Sequence, residues 1–395
     1  MANSASAAAA MAAADSAFYA AATPKSIAMP AITGVTSGQE ISLRMPNAGY
    51  GRYLVLTFVG TVTRTEGPTV GDMSPTNGGP WNVFQKISFM DYSGIARLTN
   101  VSGAALELRR TIMSARLGGA LSRPNGEGIA LSNLPFNSAP FYQYQIPAGV
   151  ASSTATGSIV CSIVVPFSAN YRSVLGSFPF TAPAGESVLN FTIQPQVNAA
   201  ASAVAGDPFN IFQSIYVAGA TTTMVLNGSV YPTYYYYDAP AGTPTPVGQI
   251  SQVFELATVR DTTGLQAGGT KTFILQPGRT YSRVYQNLVM GGTMQQDNLT
   301  AVKFLVDSAT PTLNEDIYAY VNRTANDYSQ PIPDGWIVWD FSRKMWAPDS
   351  YGSLTTNLEI AAGAATGTPS YLDTMRECLY VAAASPNLVQ SGSVA

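Results

Sequence analysis

The sequence predicts a mainly β chain folded as two similar β-sandwiches in tandem, and three features point there. A unit of two apolar strands joined by a broad polar loop occurs at 157–167 and 186–194, and again at 335–342 and 355–361. A helical pattern stands before that unit in each half. A proline-rich stretch divides the halves, and 395 residues suit two domains of ordinary size better than one core.

Composition narrows the functional classes. Apolar residues make up 46%, which excludes disorder, whereas charged residues reach only 11%, far below the roughly 25% of ordinary soluble proteins. A surface so poor in charge is expected to be hidden against partners. The formal net charge is -3, with no block of either sign, so direct nucleic-acid binding is not expected. Arg109, Arg110 and Arg116 form the densest basic group and read as a salt-bridged or solvated helix face.

The first 24 residues are alanine-rich and carry no basic residue before Lys25, unlike the charged start of a secretory signal. Alanine favours helix, and Met11, Phe18 and Ala22 fall along one side, predicting a weakly amphipathic arm. Its scarcity of bulky apolar residues predicts that removing residues 1–24 leaves the body folded.

After Pro30 the period becomes two. Ile41, Leu43 and Met45 share one face of a strand, and Leu54, Leu56 and Phe58 alternate with Val55, Thr57 and Val59 in the next. Residues 66–80 read as a long turn-rich loop, and 83–92 as a strand. Ser102 offers an N-cap to a helix over 103–117, where Ala105, Leu108, Ile112 and Ala115 fall at helical spacing and Gly118 and Gly119 would stop it. Strands are expected at 141–146, 157–167, 188–194, 211–217 and 222–237.

Prolines 240, 244 and 246 give residues 238–249 linker chemistry. Strand-like runs resume at 252–259, 270–275, 283–290 and 302–306. A helix is expected over 315–326, followed by strands at Trp336 and Leu358 and a last run at 378–382. Each half thus holds about the number of short strands that an eight-stranded jelly roll requires. The expected fold is two such sandwiches, each with an inserted helix, behind an N-terminal helical arm. The expected divisions are 1–30 for the arm, 31–237 and 250–384 for the two jelly rolls, and 385–395 for a tail.

Chemistry is scarce. The chain has no histidine, which removes the commonest general base and zinc ligand, and no phosphate-cradling glycine motif is present. Cys161 and Cys378, one per half, exclude a disulfide framework, and Cys161 alternates with Ile159, Ile163 and Val165 as a small buried hydrophobe. No catalytic residue, metal ligand or cofactor is expected. Paired acids remain as a glycosidase pattern: Asp334, Asp340 and Asp349 surround Trp336, Trp339 and Trp346. The alternation of Trp336 to Phe341 reads instead as strand packing on both faces. The run Tyr234 to Tyr237 places rings on both faces of one strand.

Several stretches in order along the chain, NVFQKISFMDYSG, ATGSIVCSIVVPFSANYRSVLGSFPFTAPAGESVLNFTIQP and DPFNIFQSIYVAGATTTMVLNGSVYPTYYYYD, together with the alanine-rich arm, resemble the double jelly-roll major capsid proteins of tectivirus-type tailless bacteriophages with an internal membrane, of the adenovirus-like lineage. The second half is similar in its order of elements more than in its letters. The resemblance implies a homotrimer of six jelly rolls, a pseudo-hexagonal capsomer that tiles an icosahedral shell over a lipid vesicle. It implies as partners neighbouring capsomers, minor capsid or vertex proteins, and the internal membrane, met by the arm at Met11, Phe18 and Tyr19. It further implies a place in the virion capsid after assembly in the host cytoplasm, and no enzymatic activity. The alternative reading is a carbohydrate-binding or adhesin-like β-sandwich protein.

Overall fold

The computed structural model describes residues 2–70, 72–75, 79–116, 142–144, 149–180, 186–194, 212–215, 222–294, 296–307, 310–328, 332–342, 347–348 and 353–381. An N-terminal helix α1 (Ala2–Ala21) leads into β1 (Thr23–Ala28), β2 (Ile32–Thr36), β3 (Glu40–Arg44), β4 (Tyr50–Glu66), β5 (Asp72–Pro75), β6 (Phe84–Met90) and β7 (Ala96–Val101). Helix α2 (Gly103–Arg116) follows, then β8 (Tyr142–Tyr144), β9 (Thr154–Pro166), β10 (Val188–Ile193), β11 (Phe212–Ile215) and β12 (Thr222–Asp238). After a single helical turn, α3 (Val247–Ile250), come β13 (Val253–Asp261), β14 (Thr270–Ile274), β15 (Thr280–Val289), β16 (Leu299–Val306) and β17 (Thr310–Asp316). Helix α4 (Ile317–Tyr328), β18 (Trp336–Asp340), β19 (Leu354–Ile360) and β20 (Tyr371–Tyr380) complete the chain.

The strand orders reveal the duplication. One sheet runs β1-β12-β4-β9-β8 with β2 also on β12, and its partner runs β3-β10-β6-β7. In the second half the orders are β13-β20-β15-β18 and β14-β19-β16-β17. With β1 and β2 taken as one broken strand, and the short β5, β8 and β11 set aside, each half places its first, eighth, third and sixth strands in one sheet. The second, seventh, fourth and fifth form the other. This is an eight-stranded jelly roll, built twice. In both copies the helix lies between the fifth and sixth strands, α2 after β7 and α4 after β17, as the matching helical patterns predict.

Alternation fixes which face is core. In β4, Leu54, Leu56, Phe58 and Val62 are fully buried, and Val230 and Leu226 of β12 lie opposite Phe58 and Val62. Cys161 is fully buried between Ile159 and Ile163, and burial pushes its thiol well up. The Ser102 hydroxyl caps α2 by accepting the Ala105 amide at 3.2 Å. The predicted C-terminal stop at Gly118 and Gly119 lies outside the described residues.

Other elements depart from expectation. Residues 66–80, expected as loop, contain β5, paired with β11. The short β1, β2, β7 and β17 are strands that local pattern did not announce, and β20 begins at Tyr371, well before the apolar run at 378–382. Strand β7 pairs in parallel with β13, Leu98 opposite Leu256 and Thr99 opposite Ala257. That pairing joins one sheet of each jelly roll into a continuous eight-stranded sheet.

Candidate functional site

Three regions stand out: the junction between the jelly rolls, one face of the first sheet, and the N-terminal helix. At the junction, Arg109 of α2 links β20 to the chain after β9. Arg109 of α2 is fully buried and grips Glu377 of β20 with two hydrogen bonds, Nε to Oε2 at 2.9 Å and Nη2 to Oε1 at 3.4 Å. Its Nη2 also donates to the Ala169 carbonyl at 3.0 Å. Arg283 of β15 reaches the same carboxylate at 3.0 Å and Asp340 at 3.4 Å, and Tyr285 donates its hydroxyl to Glu377 at 3.3 Å. Burial alone would raise the Glu377 carboxyl, but the Arg109 and Arg283 guanidiniums outweigh it and hold the group below its ordinary range. Arg110 is also buried, held by Glu107 one turn away at 2.5 Å. Arg109 and Arg110, the two members of the arginine group whose side chains are described, are therefore structural ion-pair partners.

A second clasp lies beside the first. Arg97 of β7 pairs with Asp91 at 2.6 Å and donates to the Gly176 carbonyl at 2.6 Å, while its guanidinium lies 4.3 Å from the Phe178 ring centre. Gly176 in turn accepts the Phe254 amide at 2.9 Å, so the loop after β9 is tied to the first strand of the second jelly roll.

The described members of the acid and tryptophan group do not form a sugar platform. Trp336 and Trp339 are 4% and 3% exposed, and the Trp339 indole donates to Gln286 at 2.7 Å inside the core. Asp340 is engaged by Arg283, by the Tyr328 hydroxyl at 3.1 Å and by the Ser342 amide at 2.9 Å. Asp334 is exposed, and Trp346 and Asp349 lie outside the described residues.

The outward face of the sheet containing β12, β4 and β9 is the most distinctive surface. Cross-strand register aligns Val55, Thr57, Val59, Thr61, Thr63 and Thr65 of β4 with Val164, Ser162, Val160, Ser158, Thr156 and Thr154 of β9. On the other side stand Thr233, Tyr231, Ser229, Asn227, Val225 and Thr223 of β12. None of these positions carries a charge, and Val59, Val225 and Tyr231 are 40%, 45% and 47% exposed. At one end the face is closed by tyrosines: Tyr53 stacks on Tyr235 with centroids 4.7 Å apart, and Arg52 lies 4.8 Å from the Tyr237 ring centre. Tyr234 and Tyr236 occupy the opposite, buried face.

Of the arm residues Met11, Phe18 and Tyr19, the structure brings two into the body. Phe18 is fully buried, edge-on to Tyr50 at 5.0 Å and to Tyr237 at 6.2 Å. The Tyr19 hydroxyl accepts the Val174 amide at 2.9 Å and faces the Gln249 side chain at 3.4 Å. Met11, two turns earlier, is 38% exposed. The contact face follows helical spacing through Ala14, Asp15, Phe18, Tyr19 and Ala22. Among the described residues no helix is long and apolar enough to cross a membrane, and no cluster of potential metal ligands is present.

No protein-family model and no curated protein sequence matches the chain. Solved structures do. The crystal structure of the STIV major capsid protein superposes with a TM-score of 0.59 at 14% identity, over 94% of this chain and 100% of that one. The fold is the double jelly roll. Two more proteins share it: the Faustovirus major capsid protein has a TM-score of 0.53 at 9% identity, over 91% of this chain and 90% of that one. The Sputnik virophage structure gives 0.52 at 10% identity, over 94% and 91%. At these identities what is common is the double jelly roll itself.

Proposed function

We propose that this chain is the major capsid protein of an icosahedral virus with an internal membrane. The observation that carries the proposal is the tandem double jelly roll, matched almost end to end by capsid proteins. On this reading residues 31–237 and 250–384 are the two shell-building domains. Three copies associate so that six jelly rolls make a pseudo-hexagonal capsomer, and capsomers meet one another and the minor or vertex proteins across neutral surfaces. The uncharged face of β12, β4 and β9 supports self-association, because its threonines, valines and Tyr231 can be buried without stripping water from charges. The exposed stretch of α1 at residues 9–13, with Met11, is the part of the arm left to face membrane or shell, while Phe18 and Tyr19 anchor it. The role is structural rather than catalytic, without a cofactor or direct nucleic-acid contact, in a virion capsid assembled in the host cytoplasm.

Light scattering on the eluting peak of a size-exclusion column tests this reading. The expected mass is three times the 41.5 kDa chain, or a larger shell. A monomer that binds glycans would overturn it in favour of a carbohydrate-binding protein.

A further inference from the structure

A cavity of about 400 Å³ opens where the two jelly rolls share their sheet. Thr99 of β7, Ala257 of β13 and Arg376 of β20 stand in one row across three hydrogen-bonded strands and line it together. Arg376 is only 6% exposed, yet its Nε is buried without a hydrogen-bond partner, and its Nη2 lies 3.9 Å from the Glu255 carboxylate. That carboxylate is already held by Arg279, through Nη2 at 3.0 Å and Nε at 3.4 Å. Two guanidiniums therefore face one carboxylate, leaving one positive charge in excess on a buried donor. Leaving such a donor unmatched is costly, and a planar guanidinium is shaped to take a carboxylate. The remaining wall is mostly apolar, with Ile95, Ala96, Val259 and the Tyr380 ring, and Thr258 adds one buried hydroxyl that has no hydrogen-bond partner.

We infer that this cavity is a receptor for a single carboxylate carrying a short apolar chain, seated on Arg376 beside the Arg279–Glu255 pair. The carboxylate can belong to a free aliphatic acid or to an acidic side chain of a second copy of this chain. Both sources offer the same group to Arg376, and both would brace the seam at which β7 meets β13.

Calorimetric titration of the full chain with sodium hexanoate tests the assignment, with hexylamine as the probe of opposite charge. Hexanoate is expected to bind saturably and hexylamine not at all. Arg376→Gln is expected to weaken hexanoate binding about 10- to 100-fold, the range for losing a charged hydrogen-bond partner. Val259→Glu, a change at a position 41% exposed, places a carboxylate at the mouth and is expected to compete with the ligand without disturbing the core. Light scattering during the titration separates the sources: an unchanged mass means a free acid, and dissociation by hexanoate means a side chain from a second copy. Absence of saturable hexanoate binding up to about 10 mM, or equal binding of hexylamine, overturns the inference. So does an unchanged hexanoate affinity in Val259→Glu, even where Arg376→Gln fails to fold.

Discussion

Arg109 and Glu377 join the two jelly rolls through a bidentate ion pair that is closed to solvent, 2.9 Å at its shorter contact. One partner comes from the inserted helix of the first jelly roll and the other from the last strand of the second. Because Arg283 shares the carboxylate, the group is a triad, and its members are not equivalent. Glu377→Gln leaves two buried guanidiniums facing a neutral amide and is expected to cost about 3–5 kcal/mol. Arg109→Met leaves Glu377 still paired with Arg283 and is expected to cost less. Denaturant unfolding of the two variants checks the order, and a larger loss in Arg109→Met would refute the shared-carboxylate account.

The same triad sets an acid limit. The folded state holds Glu377 below its ordinary value of 4.5, so the unfolded chain takes up the proton first as pH falls. Its contribution is fully present above about 4.5 and is lost as pH drops through the folded value. Thermal melts between about pH 6 and about pH 3 are expected to show a falling midpoint in the native protein. Glu377→Gln should start lower and fall less steeply, and parallel curves for the two proteins would remove Glu377 as the cause.

How far these relationships could be read from the sequence depends on their range. The strands β4 and β12 were legible because Leu54, Leu56 and Phe58 alternate with threonines and valines, and α2 because Ser102 precedes a clear apolar stripe. Strand β20 was mostly illegible: Asp373, Arg376 and Glu377 look like surface residues until Arg260, Glu255 and Arg109 arrive from distant elements. Strand β1 has almost no apolar pattern and is a strand because it adds to the edge of β12, with Lys25 paired to Asp238. The point at which the arm meets the body is hidden for a similar reason. Phe18 is one bulky residue among alanines, and its partners Tyr50 and Tyr237 are brought together only by the β4–β12 pairing.

Phe18 therefore holds the arm to the body. Its loss to alanine removes a fully buried ring, a change that costs about 3 kcal/mol or more in a core. Here the cost is expected to appear as release of α1 rather than as global unfolding, because the main sheets do not depend on it. Limited proteolysis should cut near residues 14–22 in Phe18→Ala and spare the native protein. Deleting residues 2–12, which stops short of that contact face, should leave the melting curve unchanged while reducing co-flotation with lipid vesicles. Full vesicle binding by that deletion would show that the early turns of α1 do not meet the membrane.

A charge placed on the neutral sheet face tests whether that face is an interface. Val59→Lys and Tyr231→Glu alter outward, partly exposed side chains, so each should change monomer stability by no more than about 0.5 kcal/mol. If copies meet there, each variant buries an unpaired charge and the light-scattering mass should fall to that of a single chain. Retention of the full assembly mass by both variants would place self-association on another surface.

Gly176 supplies the most local test of how the jelly rolls are seated. Its φ is +73°, a left-handed conformation that disfavours side chains. A Cβ built there would lie 2.6 Å from Phe254 Cβ and 2.8 Å from Leu379 Cδ2. The residue also joins three partners through its backbone: its amide donates to Gln249 at 2.8 Å, and its carbonyl accepts Phe254 and Arg97. Gly176→Ala thus pushes the loop off β13 and β20 while straining its own backbone, and a loss of about 2–4 kcal/mol is expected from the two effects together. Hydrogen exchange should localise the change, with amides of Phe254 and Leu379 losing protection while those of β4 and β12 keep theirs. Uniform loss of protection across both jelly rolls would instead mean that the Gly176 contact is part of one cooperative core rather than a separable clasp.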